Sequence, residues 1–155
     1  MNSEVLKEVC VKYPELFQDL KIHTGRALRQ AQRVYKEPDF DRGKLDKLVK
    51  LCLDIYIDWC AVESKWKILK AHKGADYWHA TWHQPESVHD FWVRQIYLFF
   101  KENTVWRKDE KRIEGSLSIA KFCLENLWGV LVEVNQETKK EYFSIFKKDP
   151  SKFNE

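Results

Sequence analysis

The chain has 155 residues, of which 44% are hydrophobic and 33% are charged, so its composition excludes an intrinsically disordered protein. Its length predicts a single domain over 1–155, with a frayed tail from about residue 149. The 27 basic and 24 acidic residues give a formal charge of +3, which is ordinary surface mixing and does not by itself imply a nucleic-acid ligand. No apolar run approaches the ~20 residues of a membrane-spanning helix, so we expect no membrane partner.

The first half of the chain predicts three helices. Ser3 can cap a first helix that runs to about residue 12, and Pro14 suits the first turn of a second helix that runs to about residue 36. Asp41 is a candidate N-cap for a third helix, which ends at 73–74. Eight apolar residues of this third helix recur at steps of three and four and therefore share one buried stripe: Leu45, Leu48, Cys52, Ile55, Trp59, Val62, Trp66 and Leu69.

The second half predicts further helices with shorter breaks. A short helix is expected over 76–83, and Pro85 begins another whose inner face carries Val88, Phe91, Trp92, Ile96 and Phe99. The next helix starts within 107–112 and carries seven apolar residues at helical spacing: Ile113, Leu117, Ala120, Leu124, Leu127, Leu131 and Val134. Gly129 inside this run predicts close approach of a neighbouring helix, against Trp59 or Trp66. A separate amphipathic helix is expected over 139–148.

These elements predict an all-α fold, a compact bundle of four main helices with one or two additional short helices. The N-terminus lacks the basic-then-apolar pattern of a secretion signal, and the four cysteines form no C-x-x-C pair. We therefore expect reduced thiols and a cytoplasmic location.

A basic stripe on the second helix is the leading candidate binding site. Arg26, Arg29, Arg33 and Lys36 are separated by steps of 3, 4 and 3, so they project from one side of the helix. Guanidinium groups at this pitch can bind carboxylates or phosphates. The alternative is a solvated face, or one that is neutralised by acidic residues such as Asp54 and Asp58 on the neighbouring helix.

A second basic group follows at the end of the third helix. Lys67, Lys70 and Lys73 precede Tyr77 and Trp78, and lysines beside aromatic rings can hold single-stranded nucleic acid through phosphate contacts and stacking. The simpler interpretation is that the lysines complement the dipole at the last turn of the helix while Trp66 and Trp78 pack in the core.

A histidine group is the one candidate metal site. His79 and His83 are four residues apart and could share a helix face, with His89 as a third ligand across the Pro85 turn. The alternative is that these histidines lie at the boundary of the core, because no H-E-x-x-H pattern accompanies them.

The sequence therefore predicts a binding subunit, and an enzyme is the less favoured class because no catalytic motif is found. The leading hypothesis is a helical adaptor that docks on an acidic protein partner within a larger complex through the basic stripe, without a cofactor. One alternative is a small nucleic-acid-binding subunit that contacts RNA or DNA. The other is an enzyme that uses a divalent metal held by the histidines.

Overall fold

The computed structural model describes residues 3–36, 42–71, 88–103 and 110–146, with side chains over 6–36, 42–68, 89–103 and 114–136. Within these ranges the chain is entirely α-helical and contains no strand, which confirms the predicted all-α class. No helix in the described ranges combines the length and apolar character needed to cross a membrane. The helices are α1 (Ser3–Lys12), α2 (Pro14–Lys36), α3 (Arg42–Ala71), α4 (Val88–Asn103) and α5 (Glu110–Phe146).

The four long helices form a closed ring in which each contacts its two neighbours. The described parts of α2 pack against α3 and α5, and those of α4 pack against the same two helices. The short helix α1 contacts α2, α3 and α5. These contacts confirm a compact bundle of four main helices with one short additional helix.

Side-chain contacts fix the directions of neighbouring helices. His23 near the middle of α2 meets Asp58, whereas Gln30, further along α2, donates to the carbonyl of Lys44 near the start of α3. Residue numbers therefore rise along one helix as they fall along the other, and α2 and α3 are antiparallel. The Trp59–Asp90 and Arg42–Asn103 hydrogen bonds show in the same way that α3 and α4 are antiparallel.

The two apolar stripes predicted for α3 and α5 form much of the core. On α3, the residues from Leu45 to Val62 in this stripe are at most 3% exposed, and on α5 those from Leu117 to Val134 are equally buried. Trp66 is partly buried at the edge of the core. Burial of each large aliphatic side chain of this kind stabilises the fold by about 1.5–3 kcal/mol before entropy costs.

Two predicted packing details are wrong. Phe91 was expected on the inner face of α4 but is 52% exposed, because Val93, Ile96 and Phe99 occupy the buried side of that helix. Gly129 was expected at a close helix contact, yet it is exposed and an added Cβ would meet nothing within 4 Å. Close approach occurs instead at Gly25 of α2.

The predicted separation of the last two helices is also wrong. The backbone of α5 continues as one helix of 37 residues from Glu110 to Phe146, so 139–146 is its last part and not a new element. The predicted short helix over 76–83, the start of a helix at Pro85 and the tail from about residue 149 lie outside the described residues.

Candidate functional site

The basic stripe lies on the solvent-facing side of α2. Arg26, Arg29, Arg33 and Lys36 are all exposed, whereas Phe17, Leu20, Ala27, Ala31 and Val34 of the same helix are buried. The two sets fall on opposite sides of the helix, as expected for apolar residues that recur every three to four positions. With a rise of 1.5 Å per residue, the stripe from Arg26 to Lys36 extends for about 15 Å.

Within the part of the chain that the structure describes, no carboxylate lies within 4.0 Å of the cationic groups of the stripe. The ion pairs found there join other residues: His23 to Asp58, Arg42 to Asp46, Lys67 to Glu63, and Lys121 to Glu125. The stripe therefore presents three guanidinium groups and one ammonium group to solvent without an intramolecular counterion among these residues. Such groups can donate hydrogen bonds to carboxylate or phosphate oxygens of another molecule.

Asp58 of α3 contributes to a different contact, with His23 of α2. Asp58 is 2.5 Å from Nδ1 of His23, on the side of α2 that faces α3, and its side chain is only 15% exposed. Burial is the main cause that raises the pKa of Asp58, and the hydrogen bond and charge of His23 partly oppose it. The carboxylate thus joins α2 to α3 and does not neutralise the arginines.

The second basic group is only partly described. Lys67 is exposed and its Nζ lies 3.2 Å from Glu63, which also lines a cleft between α3 and α4. Lys67 is therefore on the α4 side of α3, and the structure does not bring it together with the stripe on α2. The side chain of Lys70 and all of Lys73 lie outside the described residues.

The histidine group is described at one position. His89, in the first turn of α4, is 8% exposed and its ring lies 5.6 Å from that of Trp92. His79 and His83 lie outside the described residues. Among the residues that are described, no group of three His, Cys, Asp or Glu side chains could hold a metal ion.

The cleft between α3 and α4 is a feature that sequence reasoning missed. It has a volume of about 340 Å³, and the indole N–H of Trp59 donates to Asp90 across it at 3.0 Å. A hydrogen bond with Cys60 raises the pKa of Tyr56, whose ring stacks on Tyr97 at 4.0 Å. Its lining comprises Tyr56, Trp59, Cys60, Glu63, Trp66, Asp90, Val93 and Arg94.

The sequence signal for this cleft was present but ambiguous. Tyr56, Cys60 and Glu63 lie beside the buried stripe of α3 at helical spacing. Asp90 and Arg94 likewise lie four residues apart beside the buried side of α4. Helical spacing places residues on one face, but it does not identify the helix that this face meets.

Comparison with known proteins gives no further assignment, because no family, curated protein or solved structure matches the chain. The arrangement itself offers a row of exposed cations that can bind anionic groups, and a cleft lined by aromatic and charged side chains.

Proposed function

We propose that the protein is a helical binding subunit that docks on an acidic protein surface through the basic stripe of α2. The observation that supports this proposal is the exposed position of Arg26, Arg29, Arg33 and Lys36, with no carboxylate partner among the described residues. Exposed charges of this kind contribute more to association rate and specificity than to affinity. The complex should therefore weaken as salt concentration rises.

The shape of the site favours a protein surface over nucleic acid. The stripe is a single row on a convex helix, and the described lysine of the second basic group lies on a different side of the bundle. A nucleic-acid backbone is best held by several cations in a groove with aromatic rings for stacking. Carboxylates spaced by three and four residues on an acidic helix match the pitch of this row directly.

The test is a fluorescence anisotropy titration with a labelled helical peptide that carries glutamates at three- and four-residue spacing. Arg29→Glu/Arg33→Glu should weaken peptide binding by roughly tenfold or more, since like charges placed against each other are strongly unfavourable. The matched control is Arg94→Glu/Lys101→Glu, which makes the same change of charge on exposed residues of α4, a helix that does not touch α2 among the described residues.

Two results would contradict the proposal. One is peptide binding that the α2 and α4 variants reduce equally, which would indicate attraction to overall charge. The other is tight, salt-sensitive binding of single- or double-stranded oligonucleotides that depends on Arg29 and Arg33 while the peptide fails to bind. That outcome would assign the stripe to a phosphate backbone.

A further inference from the structure

The solvent face of α2 carries acidic residues as well as the basic stripe. Glu15 and Asp19 are exposed on the N-terminal half of this face, and Ile22, which is 40% exposed, lies between them and the arginines. None of these residues has an ion pair among the described parts of the chain. One face of one helix thus has an acidic half, a short apolar centre and a basic half.

The spacing along this face is the same from either end. The residues Glu15, Asp19, Ile22, Arg26, Arg29 and Arg33 are separated by steps of 4, 3, 4, 3 and 4. In an identical helix laid antiparallel across a two-fold axis, each of the two acidic positions therefore meets an arginine, and Ile22 meets Arg26 at the centre. Helix rise gives the row a length of about 27 Å.

We propose that α2 pairs with α2 of a second copy of this chain, antiparallel and across a two-fold axis. Glu15 faces Arg33 of the other copy, and Asp19 faces Arg29. At the centre, Ile22 packs against the alkyl part of Arg26. Two-fold symmetry makes each of these contacts twice, as in other isologous interfaces. Lys36 lies beyond the paired turns.

The charge pattern selects this arrangement over its alternatives. In a parallel pair, the arginines of the two copies would lie opposite each other, and so would the carboxylates. Like charges directly opposed are unfavourable, so the antiparallel register is the one in which both halves are complementary. The inference rests on the proposed function, because the same arginines make the contact, and it identifies their acidic partner as the N-terminal half of α2.

The pairing should be weak and reversible. Exposed ion pairs contribute little individually and are screened by salt. A contact between two single helices is also smaller than the roughly 1,600 Å² of a standard stable interface. We therefore expect a dimer that forms at high protein concentration and low ionic strength and dissociates when salt is added.

A charge exchange between two variants tests the pairing by sedimentation velocity. Arg29→Glu/Arg33→Glu has acidic residues at both ends of the row, and Glu15→Arg/Asp19→Arg has basic residues at both ends. The dimer dissociation constant of each variant alone should be at least roughly tenfold higher than that of wild type, because its dimer would place like charges opposite each other. A 1:1 mixture should form a heterodimer, because every end-to-end contact is then attractive. Circular dichroism checks that both variants fold.

A milder variant separates this inference from the proposed function. Glu15→Gln/Asp19→Asn keeps every arginine, so it should lose self-association and still bind the acidic peptide. The pairing is refuted if wild type stays monomeric at low salt, or if the mixture of the two charge variants forms no heterodimer. Peptide binding in either of those cases leaves the proposed function standing, so failure of the pairing can be distinguished from failure of the proposed function.

Discussion

The contact between Gly25 and Trp128 gives the sharpest test of how the bundle packs. A Cβ added at Gly25 would lie 2.9 Å from Cζ3 of Trp128 and 3.1 Å from Cη2. Alanine inside a helix is favoured over glycine by about 1 kcal/mol, but overpacking a helix contact costs about 1–3 kcal/mol. Gly25→Ala should therefore lower the free energy of unfolding by about 0–2 kcal/mol.

Gly129→Ala is the matched control, because it makes the same substitution inside α5 where a Cβ meets nothing within 4 Å. It should raise the free energy of unfolding by up to about 1 kcal/mol. Urea unfolding followed by circular dichroism gives the free energy of unfolding of both variants. In thermal unfolding of a chain of this size, a change of 1 kcal/mol corresponds to a shift of about 2–4 °C in Tm. If Gly25→Ala stabilises the protein as much as Gly129→Ala does, the close approach of α2 and α5 is refuted.

Three further predictions concern buried polar groups and thiols. Asn103→Ala should lower the free energy of unfolding by about 1–3 kcal/mol, because the buried amide donates to the carbonyl of Phe99 and to Ser116. Its control in urea unfolding is Asn126→Ala, which removes an exposed hydrogen bond from a half-buried side chain to the carbonyl of Phe122. The raised pKa of Asp58 makes the native state bind its proton more tightly. Its contribution to the free energy of unfolding should therefore fall as pH rises from 3.8 through the raised pKa. Asp58→Asn should remove this pH dependence when the free energy of unfolding is measured at a series of pH values. In a thiol-reagent assay of the native protein, the exposed Cys60 should react quickly. The three buried cysteines should react slowly: Cys10, Cys52 and Cys123.

Each of these predictions has a result that would contradict it. Equal losses of stability for the Asn103 and Asn126 variants would show that the α4–α5 contact is not buried. A pH dependence of unfolding unchanged by Asp58→Asn would show that burial does not perturb this carboxyl. The thiol prediction follows from burial, which raises the pKa of Cys123 to about 11 and also raises that of Cys52. Rapid reaction at two or more thiols would contradict it.

Most of the described helices could be predicted from local sequence, although the continuation of α5 through 139–146 could not. The bounds of α1 and α2 follow from Ser3, Pro14 and the apolar spacing between them, since caps and proline act on the nearest turn of the chain. The stripes of α3 and α5 are equally local, because a residue every three to four positions lies on one face wherever that helix packs. The exposed basic face of α2 follows from the same rule.

The sequence alone determined which faces of this protein are apolar and which are charged, because both properties repeat with the period of a helix. Only the tertiary structure decided which faces meet. It placed Trp128 against Gly25 and left Gly129 open, joined Asp58 to His23 and not to an arginine, and formed the cleft between α3 and α4. Such pairings depend on contacts between residues far apart in the chain, and helical periodicity carries no information about the neighbouring helix.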